Sequence, residues 1–319
     1  MSPIRLRDRG TALIAVLWLV AALSAIAFTV ASTVRSEVGR VSNATDGLKS
    51  YYLATGAIDR ALLYMQWQGY KTPDGSPLYY GGGPWMRLEF PGGLAVVNVI
   101  PESSKLNVNF EPPEELYNLA MALGAGPERA RAIALGIVEY RTPLIETPLS
   151  PLSGSSFGPR HASFEEIEEL LLVNGMTPEL FYGTYESDAQ GALVRRHGFV
   201  DCLSIYATGV LDVNTVDPAV MAAVGVPPDT VAAILQMRTQ WPIGPDRFAA
   251  LAQGAPGVMR LGIANGSVYT IRATAQGRLP DGTLSDARRS VAAMVKLLDR
   301  TEFREPYHVL RWYDNVWVQ

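Results

Sequence analysis

From Thr11 to Val34 the chain carries no charged side chain, reading TALIAVLWLVAALSAIAFTVASTV. A run of this kind can cross the hydrocarbon core of a bilayer, which takes about 20 apolar residues as a helix. Arg5, Arg7 and Arg9 precede it. That asymmetry predicts a cytoplasmic N-terminus and places everything from Arg35 onward on the far side. Past the run, Tyr51, Ala54, Ile58, Ala61, Leu62 and Met65 fall on one helical face. A single helix from Thr11 to about Trp67 would be roughly 85 Å long at about 1.5 Å per residue. Its first half is apolar all round and its second half is amphipathic.

Three fates fit this segment: a plain single-pass anchor, a secretory signal peptide cut at the small-x-small site Ala25-Ile26-Ala27, or a short basic leader ending in Gly10 and cut ahead of the apolar run. The run continues through Phe28, Thr29 and Val30, and the helical period persists beyond it, which favours a retained helix. A long helix of this two-part design resembles that of a type IV pilin-like subunit.

The rest of the chain alternates between two periods. A turn-rich stretch, KTPDGSPLYYGGGP, leads to a strand over Leu94–Ile100, and Leu106–Asn109 alternates as a half-buried strand. Glu114–Arg141 is helical, and Phe164–Val173 reads as an amphipathic helix with Ser163 and Glu166 spaced as a capping box. Leu203–Val213 returns to strand character and Ala219–Met237 to helix. Ser267–Ala275 and Ser290–Lys296 pair across a turn at Leu279-Pro280-Asp281-Gly282. Gly and Pro cluster at 71–93 and 142–160, marking two surface loops. Strands that bracket helices predict one sheet domain with helical insertions.

Within the helical part, segments recur about 100 residues apart. Leu106-Asn107-Val108-Asn109 returns as Leu211-Asp212-Val213-Asn214, and Leu123-Gly124-Ala125-Gly126-Pro127-Glu128 as Val224-Gly225-Val226-Pro227-Pro228-Asp229. Each copy predicts strand, helix, glycine turn, helix. The asparagine after each strand suits a turn or N-cap. Gly124, Gly126 and Ala130 have the spacing of a helix-hairpin-helix, a module that grips nucleic-acid phosphates. Glu128 and Asp229 stand where a phosphate binder would carry Lys or Arg, and Pro227 removes an amide donor. Two helical hairpins packed on each other explain the same residues.

Composition narrows the function. A net charge of −4 argues against a nucleic-acid partner. Cys202 is alone and cannot form an internal disulfide, and His161, His197 and His308 are too few for a Cys/His zinc site. The Arg195-Arg196-His197-Gly198 stretch reads as a solvated basic turn, and Ser153-Gly154-Ser155-Ser156 lies in a Pro/Gly loop with no GxSxG around it. Glu165, Glu166, Glu168 and Glu169 read as a solvated helix face. Glu186, Asp188 and Asp201 are calcium candidates without the spacing of a loop. No catalytic residue and no metal or cofactor ligand is assigned; calcium is left open.

Four features in order, Gly10-Thr11 with the apolar Ala12–Val20 run, Phe164-Glu165-Glu166-Ile167-Glu168-Glu169-Leu170-Leu171-Leu172-Val173-Asn174-Gly175-Met176-Thr177, Leu203-Ser204-Ile205-Tyr206 ahead of Leu211-Asp212-Val213-Asn214-Thr215, and Tyr269-Thr270-Ile271-Arg272-Ala273 before Ser290–Lys296, resemble the minor pseudopilin K family of type II secretion (general secretion pathway protein K). The resemblance implies an α+β fold: a long transmembrane helix and a pilin-like α/β domain with an antiparallel sheet, interrupted by a large helical insert of two helix-hairpin-like repeats. The implied division is leader 1–10, transmembrane helix 11–34 and amphipathic continuation 35–67. Pilin-like parts follow at 68–110, 201–216 and 263–319, with the insert at 111–200 and 217–262. It further implies prepilin-peptidase cleavage between Gly10 and Thr11, N-methylation of Thr11, and a single-pass inner-membrane protein with its bulk in the periplasm of a Gram-negative-type bacterium. Its partners would be the other minor pseudopilins and the major pseudopilin, at the pseudopilus tip. Most pilin-like subunits carry Phe first and Glu fifth in the mature chain, where this chain has Thr11 and Ala15. A carboxylate at mid-membrane costs on the order of 2.5–3.5 kcal/mol unless paired. A subunit with Ala15 makes no such pair, which suits a filament end. The alternative is an exported, membrane-anchored tandem helix-hairpin-helix binding protein of DNA-binding type.

Overall fold

The computed structural model describes residues 8–79, 83–143, 160–188, 191–239, 242–251, 257–263, 266–299 and 301–316. The chain opens with α1 (Asp8–Gln66), one unbroken helix of 59 residues. Next come β1 (Trp85–Phe90), β2 (Gly93–Pro101) and β3 (Leu106–Asn107), then α2 (Pro113–Ala122), α3 (Pro127–Arg141) and α4 (Pro178–Tyr182). A hairpin of β4 (Thr184–Ser187) and β5 (Leu193–Arg196) precedes α5 (Phe199–Cys202), β6 (Leu203–Ser204) and β7 (Leu211–Asp212). Then follow α6 (Pro218–Ala223), α7 (Pro228–Arg238), α8 (Pro245–Leu251) and β8 (Leu261–Gly262). The long strands β9 (Val268–Arg278), β10 (Leu284–Leu297) and β11 (Tyr307–Tyr313) close the chain.

Five strands form an antiparallel sheet in the order β1-β2-β9-β10-β11. The second half of α1 lies on one face of it. Ala54, Ala57, Ile58, Ala61 and Leu62 are at most 2% exposed, so the face predicted by periodicity is the one that packs. Opposite them stand Ala95, Val97 and Val99 of β2, Ile271 and Ala273 of β9, and Val291 and Ala293 of β10. Alanines on both sides let the helix axis approach the strands closely. Each large aliphatic buried here contributes on the order of 2 kcal/mol. Ser50, fully buried, ties the layers with a polar link: its hydroxyl donates to the Ala287 carbonyl (2.8 Å) and accepts from the Gly277 amide (3.1 Å).

A second core, from Leu106 to Leu261, belongs to the helical insert between β2 and β9. Here the strand expectation for Leu203–Val213, and with it the assignment of 201–216 to the pilin-like sheet, is corrected. Only β6 and β7 are extended, and they pair in parallel with β3 and β8, inside the insert. Leu106–Asn109 is not a half-buried strand either, since Leu106, Asn107 and Val108 are all buried. The helical stretch Ala219–Met237 is two helices around a glycine turn, as the repeat predicts. Pro227 and Pro228 have no amide hydrogen to continue α6, and Gly225 turns at φ +82°.

The internal repeat is real in three dimensions. Asn109 clamps Phe164, accepting from its N–H (2.7 Å) and donating to its carbonyl (3.0 Å). Asn214 clamps Ile243 in the same two-bond manner, at 2.9 and 3.3 Å. Arg141 donates to the carbonyls of Val108 and Glu111, and Arg238 to those of Val213 and Val216. The asparagines therefore hold distant loops, and the turn role predicted for them falls to Asn107 and Asp212, whose side chains accept from the amides of Asn109 and Asn214. The helices of the second copy are each four residues shorter: α6 has 6 against 10 in α2, and α7 has 11 against 15 in α3.

The helix expected over Phe164–Val173 is a short 3-10 stretch, Ile167–Leu172, and its capping box is not formed. Asn109 holds the Phe164 backbone, and the Glu166 carboxylate is paired with Arg311 instead of folding back on the helix start. Five strands that periodicity does not assign are also present: β1, β4, β5, β8 and β11.

Candidate functional site

Two parts of the molecule offer surfaces beyond what the fold itself consumes. The first is the N-terminal half of α1. Every residue from Ala12 to Thr45 is exposed, among them Leu13, Leu17, Trp18, Leu19, Leu23 and Phe28, and contact with the sheet begins only at Asp46–Ser50. The segment is long and apolar enough to cross a membrane. The hydroxyls of Thr29, Ser32 and Thr33 each donate to a backbone carbonyl one turn back, at 2.8–2.9 Å. Polar groups satisfied within the helix are what an apolar medium demands. Among the described side chains the first ion pair of the helix, Arg40 with Glu37 (3.1 Å), comes after the apolar run. Ala15 lies in this bare segment. Gly10 and Thr11 are on the helical backbone of α1, and their side chains lie outside the described residues.

The second surface is a cleft of ≈ 780 Å³ between the insert and the sheet face that α1 leaves uncovered. Register defines its floor. One cross-strand row is Trp85, Asn98, Arg272, Ala292 and Tyr313, running from edge to edge of the sheet. The next is Ile100, Thr270, Met294 and Arg311. The insert forms the roof, through Arg195, His197, Val200, Asp201 and Tyr206. At one end the chain crosses from sheet to insert through a buried knot. Glu102, 1% exposed, accepts from Lys105 Nζ (3.0 Å) and Thr270 Oγ1 (2.7 Å) on one oxygen, while its Oε2 has no hydrogen-bond partner among the described residues. At the far side Arg311 of β11 reaches up to Glu166 and Glu168 of the insert.

Among the described residues, the ionisable side chains singled out from the sequence in the insert are engaged in pairs. His197 is exposed, as expected, but not free: its Nδ1 pairs with Asp217, the N-cap of α6, and this contact raises its pKa above the ordinary histidine value against the effect of partial burial. Arg195 pairs with Asp201 (2.8 Å), Arg196 with Glu186 (2.7 Å), and Asp188 caps the tip of the hairpin through the Ala192 amide. The three calcium candidates thus serve different partners, and the described residues hold no group of three His, Cys, Asp or Glu that could hold a metal ion. The acidic run is solvated at Glu165 and Glu166, as expected, and is also paired: Glu165 and Glu169 with Arg160, and Glu166 and Glu168 with Arg311. Cys202 is buried, which pushes its thiol well up. The serines 153–156 and Trp317 lie outside the described residues.

One cluster had no sequence signal. Arg260, just before β8, reaches Glu111 (3.0 Å) and Glu115 (2.9 Å) of the first copy, joining the end of the second repeat to the beginning of the first. Burial and the neighbouring Glu111 push the Glu115 carboxyl up to about 7, against the pull of Arg260. Only the fold brings residues 149 and 145 positions apart into one contact.

A long N-terminal helix, apolar and bare in its first half and laid on an antiparallel sheet in its second, defines a pilin-type fold. No protein-family model matches the chain, and no curated protein matches it in sequence. Among solved structures it is similar to a chain of the GspK-GspI-GspJ complex from the enterotoxigenic Escherichia coli type 2 secretion system, with a TM-score of 0.50 and 14% identity over 86% of this chain and 98% of that one. In fold this chain is GspK-like.

Proposed function

We propose that this chain is a minor pseudopilin of a type II secretion system, which caps the tip of the periplasmic pseudopilus and promotes its assembly for export of folded proteins across the outer membrane. The observation that carries the reading is the bare apolar half of α1 joined to a GspK-like head. The twenty-three consecutive exposed and uncharged residues from Ala12 to Val34 need a bilayer or neighbouring helices to cover them. In this reading prepilin peptidase cuts between Gly10 and Thr11, Thr11 is N-methylated, and the helix anchors the protein in the inner membrane with the head in the periplasm. Ala15 leaves no intramembrane carboxylate for a neighbour's terminal amine. The insert would obstruct lateral packing on a repeating subunit and is unobstructed at an end. Its partners are the other minor pseudopilins and the major pseudopilin, and its role is structural rather than catalytic.

Mass spectrometry of the mature N-terminus from membranes of cells with an active prepilin peptidase tests the processing. A chain beginning at Thr11 is expected; one beginning at Phe28, or an intact Met1, would sink it. Immunogold labelling tests the position: label at filament ends is expected, and label along their length would overturn the capping role.

A further inference from the structure

The cleft under the insert has the shape and chemistry of a binding site for a polypeptide strand. Its first floor row spans the whole sheet, four strand spacings from Trp85 to Tyr313, or roughly 19 Å at about 4.8 Å each. An aromatic ring stands at each end, and Asn98 and Arg272 lie between them. An extended chain covers that distance with about six residues, at about 3.3 Å per residue. A compact solute fills such a slot poorly. The volume of ≈ 780 Å³ lies in the range of ligand sites, about 300–1,000 Å³.

The charges of the cleft disfavour an ionic ligand. Among the described residues it is lined by five carboxylates and five Lys or Arg side chains, besides His197. Most are already joined in pairs, Lys105 with Glu102, Arg195 with Asp201, and Arg311 with Glu166 and Glu168. A ligand of high net charge gains nothing from such a lining, whereas alternating N–H and C=O dipoles meet both signs. At the hinge end the buried Glu102 keeps Oε2 without a partner among the described residues. A buried carboxylate oxygen left so is destabilising, and an amide N–H laid beside it would supply the missing hydrogen bond.

We propose that this slot binds an extended segment of another protein, about six residues long and of low net charge, laid across the sheet beneath the insert. This inference concerns the head alone and does not depend on the filament role. The test uses the full chain in detergent micelles and a random hexapeptide library displayed between neutral linkers. Enrichment of peptides of low net charge is expected, with binding weakened at least tenfold by Ala292→Trp and, separately, by Met294→Trp, each of which fills the floor. Val96→Trp, on the same sheet face outside the slot, should leave binding unchanged. On the unaltered chain, an enriched peptide should slow amide exchange over residues 195–206, an outcome independent of how the variants fold. No enriched peptide, or peptides that neither protect 195–206 nor respond to the floor substitutions, would overturn the proposal. So would selective capture of free amino acids or small anions with no peptide binding.

Discussion

At the scale of single residues, the energetics concentrate where polar groups are buried and matched. Asn214 satisfies both backbone groups of Ile243, itself 1% exposed. Replacing Asn214 with Ala leaves them unpaired, and a loss on the order of 1–3 kcal/mol is expected in chemical denaturation. Asn109→Ala should cost about the same, because the two clamps are equivalent. Glu115 gives a pH signature. Its folded pKa, about 7, is above the ordinary value of 4.5, so the folded state holds the proton more tightly than the unfolded chain. The associated stability is complete below about pH 4.5 and is lost as pH rises through about 7. Unfolding midpoints at pH 5 and pH 8 should therefore differ more for the unaltered protein than for Glu115→Gln. His197 titrates in both proteins and cancels from the comparison; equal differences would remove Glu115 as the source.

At the scale of elements, what could be read from the chain was whatever repeats locally. The apolar run, the Ala54–Met65 face of α1, the paired strands near the C-terminus and the hairpins of both repeats follow from periodicity and glycine placement. The face could be read because each residue's burial is set by its own helix. The alternation of β1 is equally legible, with Met86 and Leu88 buried between exposed Trp85, Arg87 and Glu89, although the strand follows directly on a glycine-rich stretch. The 3-10 stretch at Ile167–Leu172 was not legible. A correct capping-box spacing lost to Asn109, 55 residues away, and to Arg311, beyond the insert. Two-residue strands such as β6 and β7 have no period to detect. Gly124, at φ +88°, ends α2 and sits where an added Cβ would come within 2.8 Å of Arg196. Gly124→Val should destabilise the head by about 1–3 kcal/mol, whereas Gly126→Ala, with a negative φ and open space around it, should be nearly silent in the same thermal melt.

At the scale of the whole molecule, the described contacts that hold the insert to the sheet include the buried Glu102–Lys105–Thr270 knot and the Arg311 clasp to Glu166 and Glu168. These differ in kind. The knot is shielded from solvent, whereas the side chains of the clasp are 34–53% exposed and open to screening. Arg311→Ala is expected to change the melting temperature by only a degree or two, given about 0–1 kcal/mol for such pairs. It should nevertheless speed amide exchange over 166–172 in the full chain. Raising the salt concentration should mimic the substitution in the unaltered protein and do nothing further to the variant.

The unequal helices of the two repeats also say how this insert can change over descent. Both length differences are four residues, close to one α-helical turn. A deletion of that size leaves the flanking side chains on nearly the same azimuth, so Arg238 still meets Val213 and Val216 as Arg141 meets Val108 and Glu111. Losing two residues would instead rotate the remainder of the helix by about half a turn and turn its apolar stripe outward. The insert is thus free to lengthen or shorten in whole-turn steps while the clamps at its base stay in phase. Related chains should differ there by indels near three, four or seven residues far more often than by two or five.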